Sequence, residues 1–394
     1  MKNKLMRTTA LVGSLMLAGS VASVAQTTVS GNLDLSYKLV NNKKSPIDSY
    51  QGFGKESQIN IQNKGKLNNG LDYAAGFSLE YDGGDNGGNG LSGWASENTF
   101  IDLTSGGTTF TIGLDHMQNP DTHAHVNMVG VGYIGGVGIG GTVSTATTNA
   151  GRNATSIYPT GTLSQYQNFG VGLTQATSVG KFSINFTPTS AWTTTMNVGG
   201  SSGSTFVEST SNIGALGGAD IGNTASIASY EGTGESAYEI GFTGDLGVKG
   251  LNVLAFYNNS NPTNSNQGGK DYTGKVLGVS YNFGQFTVGA DYRTQETAIS
   301  STTSLQNTGK AVGVAYAINP QFSVGAVYAK ADLGGNASNA TTNTDTEKTK
   351  IISLGYNMGP VVVNAQARDT KAVGGSTSSN GDARDAIVKI STKF

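Results

Sequence analysis

Cysteine is absent from the 394-residue chain, and only 13% of its residues are charged. With no thiols, neither disulfides nor a thiolate metal centre can hold the fold, so backbone pairing and burial must do so. Seven prolines, none in a run, leave no linker at which to divide the chain. The histidines number three, His116, His123 and His125, and all fall in one short stretch. A formal net charge of −2 excludes the basic footprint that nucleic acid requires. Beyond the first 25 residues no apolar run approaches the roughly 20 residues of a spanning helix, and none repeats at 3.6 residues. Hydrophobic residues amount to 36%, below the roughly 45–50% usual for soluble domains with glycine counted.

The first 25 residues read as an export signal. Lys2, Lys4 and Arg7 form a positive segment, Leu11 to Ala18 a short apolar core, and Ser23-Val24-Ala25 a small-residue cleavage site. The expected mature chain, 26–394, keeps 21 Lys and Arg against 26 Asp and Glu, a net charge of about −5. It is read as one domain.

What is present is glycine, with 58 residues, and a repeat of two. In "TVSGNLDLSYKL", Val29, Gly31, Leu33, Leu35, Tyr37 and Leu39 alternate with Ser30, Asn32, Asp34, Ser36 and Lys38. "LDYAAGFSLEYD" sets Leu71, Tyr73, Ala75, Phe77, Leu79 and Tyr81 against Asp72, Ser78 and Glu80. Each segment offers one apolar and one polar face, as half-buried strands do. The pattern predicts sixteen strands, near 28–40, 56–65, 71–82, 96–105, 108–115, 168–177, 181–189, 236–243, 251–258, 273–283, 286–294, 309–318, 322–330, 348–357, 361–369 and 383–394. Tight turns such as "LNNG", "SGG", "SVG", "GQ", "NPQ" and "GP" alternate with long links rich in Gly, Asn, Ser and Thr. Short turns at one end and long loops at the other predict an all-β, sixteen-stranded antiparallel transmembrane barrel, since a Greek-key sandwich mixes loop lengths at both ends. Closure also removes the edge strands of a cysteine-free sheet. Phe110, Phe182, Phe283, Phe286, Phe322, Tyr356 and Phe394 fall beside the short turns, and Tyr37, Tyr81, Tyr257, Tyr292 and Tyr328 toward the long loops. Two such belts fit two membrane–water interfaces, although β-propensity alone also favours aromatics in strands.

By parity with their apolar neighbours, Lys38, Lys64, Asp72, Glu80, Asp102, Glu239, Asp291, Arg293, Arg368 and Lys389 point inward. Most other inward positions carry Gly, Ala, Ser, Thr or Asn, so the lumen is expected to hold water with few fixed charges and to discriminate weakly. The excess of acid suggests a slight cation preference. "GVGYIGGVGIGG", Gly130 to Gly141, matches a dinucleotide-binding spacing, but no strand precedes it and no helix or ribose-binding acid follows. It reads as loop glycine. "DGGDNGGNG" could offer calcium Asp82, Asp85, Asn86 and Asn89, but it lacks the ordered spacing and closing glutamate of an EF-hand loop and reads as an exterior loop. For the histidines, a metal site or a hydrolase base competes with a polar loop in water, and the polar loop is preferred.

The signal segment, "TVSGNLDLSY", "SQINIQNKGKLNNGLDYAAGFSLEYD", "ENTFIDLTSGGTTFTIGLDH" and the ending "DAIVKISTKF" resemble the Gram-negative general porin family. The likeness is clearest over 26–116 and the last 120 or so residues, and weaker over 117–235. It implies an outer-membrane channel for passive diffusion of ions and small hydrophilic solutes, with no catalytic residue, cofactor or metal. It further implies a homotrimer, contact with outer-membrane lipid and lipopolysaccharide, and a third long loop, 116–167, folded into the lumen. On that loop Asp115, His116, Asp121, His123 and His125 would face the basic wall, although the family's acidic loop tip is missing. The last strand, with Val388, Ile390 and terminal Phe394 outward, resembles the family's signal to the barrel-assembly machinery; Thr392 stands where an aromatic is common. Rival readings are an outer-membrane barrel enzyme, a lipase or protease, and a secreted β-rich adhesin.

Overall fold

In the computed structural model, β14 (Glu347–Asn357) shows in a few residues how the chain is organised. Ile352 is 65% exposed and Leu354 42%, whereas the intervening Ser353 is 2% exposed. Apolar side chains face out and polar ones face in, the reverse of a water-soluble domain. The structure describes residues 25–42, 50–82, 95–114, 169–187, 237–260, 272–298, 304–332, 346–372 and 382–394.

Sixteen strands run in chain order: β1 (Gln26–Asn42), β2 (Tyr50–Lys66), β3 (Asp72–Asp82), β4 (Ala95–Ser105), β5 (Thr108–Leu114), β6 (Phe169–Thr177), β7 (Gly180–Thr187), β8 (Ala237–Gly244), β9 (Leu251–Ser260), β10 (Tyr272–Phe283), β11 (Phe286–Ala298), β12 (Ser304–Ala317), β13 (Phe322–Asp332), β14, β15 (Val361–Lys371) and β16 (Ala383–Lys393). Each pairs antiparallel with its sequence neighbours, and β1 pairs with β16, so the sheet closes as a barrel. All sixteen expected strands are present. Several run further than their apolar alternation. β12 begins at Ser304 rather than 309, pairing Leu305 with Thr297 and Gln306 with Glu296 of β11. Ladder hydrogen bonds continue there where both faces are polar, and a hydrophobic pattern cannot report that. A register shift between Gly76 and Ser78 in the β3–β4 ladder is likewise absent from the expected pattern.

The short links use local hydrogen bonds and left-handed backbone. Between β4 and β5, Gly106 and Gly107 take φ values of 55° and 83°, the pair of positive angles that suits a two-residue hairpin turn. Between β12 and β13, Asn319 Oδ1 accepts from the backbone N–H groups of Gln321 and Phe322, at 2.9 and 2.8 Å. The link 245–250, unassigned from the sequence, is a third such turn: Val248 N–H donates to the Asp245 carbonyl at 2.9 Å.

Aromatic rings cluster beside these turns. Phe283 stacks on Phe286 at 5.7 Å, Phe286 meets Tyr316 at 4.7 Å, and Phe182 meets Phe242 at 4.7 Å. At the other end Tyr238 and Tyr257 lie 6.0 Å apart, and Tyr37 and Phe53 4.9 Å. Tyr316, Phe242 and Phe53 extend the expected belts.

The seam that closes the barrel ends on Phe394. Its N–H donates to the Gly31 carbonyl at 3.0 Å, and Gly31 N–H donates to the Phe394 carbonyl at 2.8 Å. The ring lies over Gly31: a β-carbon there would stand 2.5 Å from both the ring and the Gln58 carbonyl oxygen. Only glycine leaves that space. Gly31→Val should therefore destabilise the barrel by about 1–3 kcal/mol and lower the folded fraction on unheated gels. Phe394→Ala, which keeps the backbone pair, should cost less in the same assay.

Candidate channel interior

The inner face is set by register. β1 opposes β16 with Ser36↔Lys389 and Leu35↔Ile390, so the parity that turns Leu35 and Ile390 outward turns Asp34, Ser36 and Lys389 inward. Lys389 Nζ sits 2.5 Å from Asp34 Oδ2, both largely buried. On the next ladder Arg368 directly opposes Asp385, and Arg368 Nε donates to Asp385 Oδ1 at 3.2 Å. Their side chains are 6% and 3% exposed. Two charges in such a site compensate each other, and removing one strands the other.

The remaining expected wall residues divide by depth. Lys64 and Asp72 lie exposed near the short-turn rim, where Asp72 pairs with Lys66 at 2.6 Å. Asp102 accepts a hydrogen bond from Thr111 Oγ1 at 2.5 Å across β4 and β5. Glu239, on β8, is 0% exposed and Asp291, on β11, is 7% exposed. Glu239 stands in register between Asn185 on β7 and Asn258 on β9, two buried amides. Lys38, Glu80 and Arg293 belong to β1, β3 and β11, opposite Ile387, Gln58 and Val276 respectively. The loop-side residues Asp115, His116, Asp121, His123 and His125 lie outside the described residues, as do the Gly130–Gly141 run and Asp85, Asn86 and Asn89. Val388 and Ile390 are outward, 42% and 44% exposed, and Phe394 is 69% exposed at the seam.

Two features escaped sequence reasoning. Asp34 and Asp385 sit on polar faces, but their partners emerge only once β16 is registered against β1 and β15. The inner face also carries an apolar strip. Leu254, Phe256 and Val276 pack together at 5%, 5% and 3% exposure, with Phe256 opposite Gly241 on β8 and Val276 on β10. β9 is apolar on both faces over "LNVLAFY", so alternation there gives no parity. The inner wall is thus less uniformly polar than expected, because the concave side of the sheet crowds its side chains against one another.

The outside of the barrel is an apolar band bounded by aromatic girdles, which suits lipid and no aqueous surface. A family model described as Gram-negative porin matches residues 8–201. A comparison with curated proteins found no match. Among solved structures, an anion-selective porin from Comamonas acidovorans is similar at TM-score 0.58 and 13% identity, covering 94% of this chain and 100% of that one. A triple mutant of Rhodopseudomonas blastica porin gives 0.55 and 15%, with 94% and 100% covered. Outer-membrane OmpT of Vibrio cholerae gives 0.56 and 11%, with 95% and 99% covered.

If the Arg368–Asp385 pair is held as described, Arg368→Ala should lower stability by about 3–5 kcal/mol, read from urea unfolding in lipid vesicles. The double change Arg368→Met with Asp385→Leu should restore most of that loss, because no charge is then left buried alone. With its closed sixteen-stranded barrel, inward polar face and outward apolar band, the chain has the architecture of an outer-membrane channel and matches the Gram-negative porin model over residues 8–201.

Proposed function

We propose that the channel passes ions and small hydrophilic solutes by passive diffusion with weak charge selectivity and no chemical step. The observation that carries this reading is the pairing of inner-wall charge. Lys389 faces Asp34 and Arg368 faces Asp385, so each cation is answered locally by an anion. A permeating ion passing these ladders then meets paired charges and side-chain dipoles. The mature excess of acid, 26 residues against 21, tilts the sign toward cations. The Comamonas acidovorans relative is named as anion-selective, so sign is the property to measure.

Around this core stand further parts of the same reading. Residues 1–25 are a cleaved export signal, and the mature barrel is a homotrimer. The third long link carries Asp115, His116, Asp121, His123 and His125 toward a wall lined by Lys38, Lys64, Asp72, Glu80, Asp102, Arg293, Arg368 and Lys389. The barrel-assembly machinery reads Val388, Ile390 and Phe394, and lipopolysaccharide surrounds the folded barrel. A closed ladder satisfies the backbone internally and leaves the interior free for water, which supports diffusion over catalysis.

Purified protein in planar bilayers should give stepwise conductance, three equal closing steps, and a small reversal potential on the cation side across a salt gradient. A strong permselectivity of either sign would overturn weak discrimination. Esterase or protease activity abolished by His116→Ala would make the molecule a barrel enzyme instead.

A further inference from the structure

Inside the barrel, β2 carries a row of side-chain amides. Gln58, Asn60 and Gln62 alternate with Ile59 and Ile61, so the parity that turns the isoleucines toward lipid turns the amides inward. Asn32 of β1 opposes Gln58 and adds a fourth amide at the end of the row nearer the long loops. All four are half-buried, as are Asp34 and Ser36 beside them. Inner positions on other strands differ: Glu239 of β8, Ser280 of β10, Ala311 of β12, Ala329 of β13 and Ile351 of β14 are buried. The amide row is thus a part of the inner wall that solvent reaches.

The protein itself makes no use of these amides. Among the described residues no group hydrogen-bonds the side chains of Asn32, Gln58, Asn60 or Gln62, and Gln62 takes part only through its backbone carbonyl, which accepts from Thr28 Oγ1 at 3.5 Å. Their neighbours in register are short: Thr28 and Gly76 flank Gln62, and Ser30 and Ser78 flank Asn60. The outward amide of the same strand is treated differently. Asn63 Nδ2 donates to Thr27 Oγ1 at 2.8 Å, and Asn63 Oδ1 accepts from the Tyr73 hydroxyl at 2.6 Å. Charge bounds the row without entering it. Lys64 follows Gln62 by two residues toward the short turns, while Glu56 precedes Gln58 by two and Glu80 opposes Gln58 on β3. Asp34, the nearest acid on β1, is already held by Lys389.

The chemistry of the row selects its ligand. Each amide presents two N–H donors and a carbonyl acceptor, and a hydroxyl likewise both donates and accepts. An ion of either sign uses only half of such a group. Alternate residues advance about 7 Å along a strand, or roughly 5 Å along the barrel axis at a tilt near 40°. That is about the length of one sugar ring in a linear chain, so successive amides meet successive rings.

We propose that Gln58, Asn60 and Gln62, with Asn32, form a binding track for linear neutral saccharides on the channel wall. The inference rests on the porin reading and adds to it a class of solute that the wall holds during passage.

The test records ion current through single channels of the full-length mature protein in planar bilayers. The probes are maltotriose and a polyethylene glycol of equal hydrodynamic size. Maltotriose should block the current saturably, and the polyethylene glycol only in proportion to its concentration. Each amide lost removes about one net hydrogen bond, a roughly fivefold weakening, so Gln58→Ala/Asn60→Ala/Gln62→Ala should raise the half-blocking concentration about a hundredfold. Asn60→Gln, which keeps an amide, should stay within about twofold of the wild type. Gln51→Ala, on the outward face of β2, should leave the block unchanged. Unheated-gel migration checks folding, and the single change Asn60→Ala, expected to weaken the block about fivefold, serves if the triple variant does not fold. Wild-type block in the alanine variants, equal saturable block by the polyethylene glycol, or a loss in Asn60→Gln as large as in Asn60→Ala would overturn the proposal. Conductance in salt alone reports the porin reading separately: a folded wild-type protein without conductance steps would sink that reading, whereas a conducting one without saturable block would sink only this one.

Discussion

Every feature of this molecule follows from a backbone that must satisfy its own hydrogen bonds where lipid offers none. An unpaired amide in hydrocarbon costs several kcal/mol, so an open sheet edge is untenable there. The β1–β16 ladder, running from Asn32↔Lys393 to Asn42↔Ala383, removes the last edge. It finishes on the reciprocal bonds between Gly31 and Phe394, so the final residue of the chain is part of the closure itself. A glycine at residue 31 is the price of fitting an aromatic terminus over that seam.

Closure in turn dictates the distribution of side chains. Alternation sends each residue either to lipid or to the concave side, and the two environments demand opposite chemistry. Outside, aliphatic residues and aromatic girdles suffice. Inside, charges that leave bulk water need partners, and Arg368 finds Asp385 across the β15–β16 ladder while Lys389 finds Asp34 across the β16–β1 ladder. These pairs join the same strands that close the barrel. Stability of the seam and electrostatic neutrality of the adjoining wall thus draw on one set of residues.

Much of this was legible in the sequence because a period of two survives any uncertainty about partners. Strand identity, face and the turn-length asymmetry could be read from segments such as "TVSGNLDLSYKL" alone. Partnership could not. Arg368 and Asp385 are separated by the link from β15 to β16, whose length leaves register open, and only the ladder brings them opposite. β9 defeated the method for a different reason: Leu254 and Phe256 turn inward while Val253 and Ala255 turn outward, so both faces are apolar and parity has nothing to distinguish. The polar extension of β12 defeated it in the converse way, with ladder bonds continuing beyond any hydrophobic signal. The residues placed on the third long link lay beyond periodicity altogether, since a loop position is fixed by contacts that a local pattern does not encode.

Lysine illustrates how position overrides residue type in this fold. Lys389 is inward and largely buried, and its charge is held by Asp34. Lys66 is at the short-turn rim, where its pair with Asp72 is open to solvent and worth little. Lys330 has the outward parity that puts Val324 and Ala326 against lipid, yet it lies far enough up β13 to reach the headgroup level. A charge at the height of Val324 on the same face would cost about 2–4 kcal/mol near the bilayer midplane, falling toward zero at the interface. Parity and height together therefore decide whether a cation on this barrel is neutralised within the wall, solvated at the rim or exposed to the headgroups.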